Sequence, residues 1–197
     1  VSTLSPNQPG LAVVISGPSG VGKSTIVAEL LAQLPGAEMS VSATTRAKRH
    51  GEVDGKDYHF LTAQQFADWV AEGRFLEHAE YVGNRYGTLA QPVVDAIQAG
   101  RTILIEIDVQ GAAQIHRKRP DIPKIFILAP SREVLHQRLA DRKTETPDTL
   151  AKRIALAERE IAFAHSSGCY QYFVTNAILD DSVQAVKDIL EQERSKA

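Results

Sequence analysis

The stretch Ile15–Val27, ISGPSGVGKSTIV, constrains the fold more than any other part of this 197-residue chain. An apolar, β-branched run, Leu11–Ser16, leads into it. A run with Val27, Leu30, Leu31 and Leu34 at helical spacing leads out, and Pro35-Gly36 stops it. Between them stand Gly17, Gly20 and Gly22. Glycine costs backbone entropy, so three close together imply a chain that turns tightly or approaches something closely. Further apolar runs at Thr102–Ile107, Lys124–Leu128 and Tyr172–Thr175 read as buried strands. Helical patterns fall between and after them. One runs over Pro92–Ala99 and one over Val134–Arg142. A long one, opened by Thr146-Pro147, carries Leu150, Ile154, Ala157 and Ile161 on one face, and the last carries Val183, Val186 and Leu190. Strands alternating with helices predict an α/β fold, a parallel sheet flanked by helices on both faces.

From about Met39 to Thr88 this rhythm breaks. Two turn pairs, Asp54-Gly55 and Gly83-Asn84, are each flanked by strand-like residues, and one short helix is expected from Thr62 to Gly73. The segment reads as a mostly β insertion with its own small core around Phe60, Phe66, Trp69 and Phe75. Ahead of the first strand, residues 1–10 are polar and Pro-containing and read as a flexible tail. A net charge of −2 supplies no bulk basic field, so neither nucleic acid nor an anionic membrane is expected as a partner, and any anion site must be a local cluster. The single cysteine, Cys169, cannot form an internal disulfide. With no apolar run near twenty residues and no signal-like N-terminus, the cytoplasm is the expected compartment.

The glycine turn has a chemical reading too. The spacing Gly17-x4-Gly22-Lys23-Ser24 fits a loop whose backbone N–H groups ring a β-phosphate, with a helix pointing its positive end at the same anion. Lys23 would reach β- and γ-oxygens, and Ser24 would offer its hydroxyl to Mg²⁺. A glycine-rich turn without a nucleotide would share the composition, and the motif alone does not separate GTPase, ATPase and kinase. In the insertion, Ser40–Phe60 gathers Arg46, Lys48 and Arg49 beside Ser42, Thr44 and Thr45, with Tyr58 beyond the turn. Guanidinium forks and a phenol suit a phosphate monoester dianion, although a solvated basic loop would carry the same charges.

Over about Leu11 to Leu190 the chain resembles the guanylate kinases. The resemblance is carried by GPSGVGKST, SVSATTR, GEVDGKDYHF, FLEHAEYVGNRYGT, ILIEIDVQGA and RLADRKTET. It implies a P-loop NTPase of nucleoside monophosphate kinase fold, with a core at 11–38, 90–134 and 151–197, a GMP-binding lobe at 39–89 and a short lid at 135–150. It implies transfer of the γ-phosphoryl of ATP to GMP with Mg²⁺, dGMP being a further acceptor to test. Carried over by position, Gly17, Pro18, Ser19, Gly20, Val21, Gly22, Lys23, Ser24 and Thr25 would bind ATP, with Asn176 near the adenine. Arg46, Arg49, Tyr58 and Tyr86 would hold the GMP phosphate. Ser42, Glu77 and Thr88 would read guanine, with Glu106 helping, and Asp108 would lie near metal and substrate. Arg138, Arg142 and Arg153 would close over the phosphates as catalytic cations beside Lys23. Lys48 departs from a frequent proline and Lys143 from a usual lid glycine.

The chemistry of the base agrees with that assignment. Guanine shows N1–H and N2–H₂ side by side, so one carboxylate accepts both, whereas adenine has no donor at N1 and would leave a buried carboxylate unpaired. The acceptor phosphate is already ionised, so the task is positioning and charge stabilisation, not general-base catalysis. Two other readings remain open from sequence. One is a kinase of the same fold acting on a ribose bisphosphate. The other is a non-catalytic guanylate-kinase-like module that binds phosphopeptides, against which the intact Lys23 and Ser24 argue.

Overall fold

The computed structural model describes residues 9–81, 83–141 and 147–196. In chain order the first core elements are β1 (Leu11–Ser16), α1 (Lys23–Gln33) and β2 (Ala37–Met39). The insertion follows with β3 (Ser42–Thr44), β4 (His59–Phe60), α2 (Ala63–Ala71), β5 (Phe75–Tyr81) and β6 (Asn84–Leu89). The chain then returns through α3 (Ala90–Gln98), β7 (Thr102–Glu106), α4 (Val109–Lys118), β8 (Lys124–Leu128), α5 (Arg132–Ala140), α6 (Pro147–Ser166), β9 (Tyr172–Thr175) and α7 (Leu179–Arg194). One sheet runs β2-β7-β1-β8-β9, parallel throughout; the other runs β4-β3-β6-β5.

The apolar runs form strands because both faces of the middle of that first sheet are covered, so strict alternation disappears along β1, β7 and β8, whereas β9 at the edge stays partly exposed. Along β1, Leu11, Val13 and Ile15 enter one core with α1 and α7, while Ala12 and Val14 enter a second core with α3, α4 and α6. β1 thus lies mid-sheet with no solvent on either side, and its C-terminal end delivers the glycine turn.

Two core elements were not anticipated. β2 is only three residues, partly exposed, and joins the sheet edge through Met39↔Leu104, so Met39 belongs to the core sheet and not to the insertion. α4 begins directly beyond a strand, contains Gly111, and is rich in polar side chains, which hides its period.

The insertion has its own core, as expected, with different membership. Ala43, Phe66 and Phe75 are buried, with Leu61, Trp69, Val70 and Leu89 packed around them. Phe60 is not among them. It lies beside Tyr58 and under the Arg46 guanidinium, 5.8 Å from ring centre to Cζ. The Gly83 turn does join antiparallel strands, Tyr81 pairing with Asn84. The Asp54-Gly55 turn does not. It closes locally, Gly55 N–H donating to Tyr58 O at 2.8 Å, and β4 then runs parallel to β3. The expected helix is α2, fixed at its start by a capping box in which Thr62 and Gln65 satisfy each other's backbone N–H groups.

Of the expected tail, residues 1–8 lie outside the described residues; Gly10 packs against the backbone of Ile97. In the expected lid stretch, Leu135 and Leu139 of α5 are buried against Ala157 of α6, and residues 142–146 lie outside the described ones.

A separate lobe core has a measurable consequence. Phe66 is fully buried and stacks on Phe75 with centroids 4.7 Å apart. Phe66→Ala is expected to cost about 3–5 kcal/mol of lobe stability. Hydrogen exchange should then accelerate across β3 and β6 while β1 and β7 keep their protection. Uniform loss of protection over the whole chain would contradict an independent lobe core.

Candidate active site

The phosphate loop hangs between the end of β1 and the start of α1. Gly22 caps α1 at φ 97°, and no side chain caps that terminus, so the first N–H groups of the helix keep their capacity for an anion. Positive φ alone favours glycine there, and a Cβ at Gly22 would sit 2.5 Å from Nδ2 of Asn176. That same Nδ2 donates to Val21 O at 2.8 Å, and Ser182 Oγ donates to Asn176 Oδ1 at 3.2 Å. Asn176, expected near the adenine, therefore braces the back of the loop. Arg138 does the same from α5, donating to Val21 O at 3.4 Å and Asn176 O at 3.2 Å. Lys23 curls over the loop and donates to Gly17 O and to Pro18 O, the latter at 3.0 Å. Ser24 and Thr25 are exposed.

Ser24 Oγ donates to Glu106 Oε1 at 2.7 Å. Glu106, at the end of β7, stands with the phosphate loop, whereas the resemblance had implied that it helps read guanine. Asp108 begins α4, its Oδ1 accepting from Gln110 N and Gly111 N, both at 2.9 Å.

In the lobe, the three expected base-reading residues fall in one row across three strands. Ser42 pairs with Thr88, and Thr88 pairs with Glu77. A bulge makes this possible. Phe75 pairs with Leu89 and Glu77 with Thr88, so Leu76 is the extra residue on β5. Without it, Phe75 and Glu77 would face the same side. With it, Phe75 enters the lobe core, Leu76 enters the main core, and Glu77 faces Thr88. The Glu77 side chain is 5% exposed, and its Oε1 accepts from Thr88 N at 2.9 Å and Thr88 Oγ1 at 2.6 Å. Burial raises its pKa above the ordinary carboxylate range; Thr88 opposes this and the charge of Asp108 adds to it.

Two residues from the row, Tyr86 shares its face of β6 and pairs with Thr44. Tyr58 lies edge-on to Tyr86 at 6.1 Å, and the Arg46 guanidinium stands 5.3 Å over the Tyr58 ring. Arg46 is held in a bidentate fork by Glu52, at 2.6 and 3.1 Å, and Glu52 also accepts from Arg49 N at 2.7 Å. The Arg46 bond holds the Glu52 carboxyl below its usual range. The Arg49 side chain is exposed. Arg46, Tyr58 and Tyr86 are thus brought together. Arg153, on α6, is half-buried, and Arg142 lies outside the described residues.

One acid in this region was missed from sequence. Glu160, on α6, has its pKa raised to about 7 by burial, with Lys23 lowering it and Asp108 raising it. In the sequence it sits in EREIAF as one more helical glutamate. Only the packing of α6 over the sheet turns it toward Lys23 and Asp108. Among the described residues no group of three or more His, Cys, Asp or Glu could hold a metal ion by itself. Mg²⁺ commonly takes one or two protein oxygens and leaves the rest to phosphates and water, and the Ser24–Glu106 pair fits that demand.

The Glu160 environment gives a signed pH effect. Its folded pKa lies above its unfolded value, so folding takes up a proton between the two. Stability from this group is fully present below the unfolded value and is lost as pH rises through the folded one. Glu160→Gln should therefore lose less melting temperature than the parent between about pH 5 and about pH 8. Parallel pH profiles for parent and variant would show that this carboxyl is not desolvated.

A family model described as guanylate kinase matches residues 10–193 of this chain. A guanylate kinase of Rubrobacter xylanophilus is 44% identical over 182 residues, which cover 92% of this chain and 92% of that protein. One of Synechocystis sp. is 45% identical over 184 residues, covering 93% and 95%. Among solved structures, the crystal structure of guanylate kinase from Anaplasma phagocytophilum matches with a TM-score of 0.75 at 31% identity, covering 95% of this chain and 88% of that one.

Proposed function

The chain belongs to the guanylate kinase family, and on that premise we propose that it moves the γ-phosphoryl group of ATP to GMP, yielding GDP and ADP, with Mg²⁺. The observation that carries the acceptor's identity is the row Ser42, Thr88, Glu77 on one face of the lobe sheet. Thr88 holds one oxygen of Glu77, and the carboxylate so fixed can accept guanine N1–H and N2–H₂ together. A ribose bisphosphate has hydroxyl donors but no planar base to lie along the row of Ser42, Thr88 and Glu77, and a phosphopeptide module has no use for Lys23 and Ser24 at the head of α1.

The two ends of the acceptor are then bound by different chemistry on one sheet. The base lies along the row, and the phosphate lies toward Tyr86, Tyr58, Arg46 and Arg49. Glu52 holds the Arg46 plane over Tyr58 and Phe60 before any anion arrives, so less side-chain entropy is lost on binding. The donor nucleotide's phosphates sit on the N–H groups of Gly20 to Thr25. Lys23 leaves its carbonyl partners Gly17 and Pro18 for the β- and γ-oxygens. Ser24 and Glu106 would hold Mg²⁺, with Asp108 two residues along the chain from Glu106; the ion would supply positive charge to the phosphate oxygens.

In the transfer, an acceptor phosphate oxygen bonds to the γ-phosphorus as the bond to the β–γ bridging oxygen breaks, and the electron pair leaves with ADP. No proton must be removed from the attacking group. The protein's part is to align the two phosphates and to hold positive charge where negative charge spreads. Arg138 and Asn176 keep the loop in shape for this, and Arg153 and Arg142 are the cations proposed to close over it.

An ADP-release assay across GMP, dGMP, AMP, UMP, CMP and no acceptor tests the reading, with GMP expected to be much the best. Lys23→Ala should cut GDP formation by at least about a hundredfold at unchanged circular dichroism. Near-parental turnover would remove Lys23 from the chemistry. Glu77→Ala should lower GMP kcat/KM by about a hundredfold to ten-thousandfold, and AMP far less. A constant GMP-to-AMP ratio would mean that another residue reads the base.

A further inference from the structure

Gly111 is the third residue of α4, in an ordinary right-handed helical turn, and no positive φ calls for a glycine there. Glycine inside a helix is unfavourable relative to alanine, so its presence needs a packing reason. The reason is the neighbour. A Cβ at Gly111 would stand 2.7 Å from Glu77 Oε2 and 3.1 Å from Glu77 Cδ, with the Ile107 Cδ1 methyl next at 3.3 Å. Both the oxygen and the carboxyl carbon are too close, so turning the carboxylate about its last bond would not clear the methyl; the whole head group would have to move.

That head group has little freedom to move without loss. Glu77 is almost wholly buried, and its other oxygen is tied to the Thr88 backbone and hydroxyl. α4 is also fastened to the strand that carries Glu77. Gln114 donates to His78 O at 2.8 Å and accepts from His78 N at 3.2 Å, and Lys118 donates to Phe75 O at 3.2 Å. Positions 111, 114 and 118 share one helical face, so this face lies along the outer edge of β5. The helix cannot back away from an added methyl without stretching these bonds.

We infer that Gly111 is a positioning residue for base selectivity: the space left by its missing side chain seats the Glu77 carboxylate at the angle from which it reads guanine. The inference rests on the proposed role of Glu77 and deepens it by naming the helix that sets the carboxylate's place. Gly111 touches no substrate and acts only through Glu77.

The test is a double-mutant cycle on the full chain, with GMP and AMP as acceptors, thermal melts alongside, and Glu77→Ala as the second substitution. Gly111→Ala should lower GMP kcat/KM by about tenfold to a hundredfold, chiefly through KM, with AMP efficiency changed less than about threefold. In the Glu77→Ala background the same change should have no further effect on GMP, since there is no carboxylate to displace. A GMP-to-AMP ratio that survives Gly111→Ala in a protein that prefers GMP would overturn the inference and leave the role of Glu77 standing. Equal losses from Gly111→Ala with and without Glu77 would overturn it as well. If Gly111→Ala does not fold but Glu77→Ala/Gly111→Ala does, the methyl collides with Glu77 as inferred; if neither folds, its damage has another route and the inference fails. A parent with no preference for GMP over AMP would overturn both the reading and the inference.

Discussion

Everything in this molecule is hung from β1. It lies in the middle of a parallel sheet, paired with β7 on one side and β8 on the other, and both its faces are buried. A strand so placed cannot shift register without breaking hydrogen bonds to two neighbours and the packing of two close-packed cores. The glycine loop at its carboxyl end therefore starts from a fixed point, with Glu106 delivered to it from the end of the adjacent β7 and Asn176 from the end of β9, one strand beyond β8. The loop itself has little side-chain mass to hold it in place. It is stiffened from behind instead, by the Asn176 amide and the Arg138 guanidinium on Val21 O. A loop whose N–H groups must face an anion can be braced through its carbonyls and through a buried side chain, and here Val21 supplies both, its side chain lying in the main core.

The two hydrophobic cores meet at an irregularity in β5. Leu76 sits in the main core while Phe75 sits in the lobe core, so the two hydrophobic units meet at consecutive residues of β5. The bulge that allows this also turns Glu77 toward Thr88. One extra residue thus links the lobe to the body and aims the proposed base reader. Bulges are costly to a ladder, and this one is offset by α4, whose Gln114 and Lys118 bond to the edge of β5 that no strand covers.

The core was legible in the sequence because fully buried parallel strands leave unbroken apolar runs, and the phosphate loop because its glycines are demanded by backbone geometry. What escaped notice was local order set by distant partners. β2 has no apolar signal of its own and exists through pairing with β7. α4 carries a glycine that a helix disfavours, and Glu77 explains that glycine only once the chain is folded. Phe60 has the composition of a core residue, but the parallel path of β4 places it under Arg46. The functional residues were found through motif resemblance, and the chemistry of the base supported that assignment. Their spacing alone would not have brought Glu106 to Ser24 or Glu160 toward Lys23.

The arrangement of charge explains why a slightly acidic chain can serve as a meeting place for two polyanions. Burial raises the pKa of Glu77 and of Glu160, and the charge of Asp108 adds to both shifts. Before ligands arrive, ionising two carboxyls so buried carries a desolvation cost. Each proposed ligand relieves part of it. Guanine brings donors to Glu77, and a divalent cation brings charge to Glu106 and its neighbours. Arg46, the proposed phosphate partner, is held by Glu52. A ligand that offsets this cost binds only the folded state, so the liganded protein should be the more stable form by linkage. Stability forgone in the empty site becomes discrimination in the filled one. A base without the guanine donors leaves Glu77 as poorly matched as it was before, so the wrong acceptor gains none of that relief.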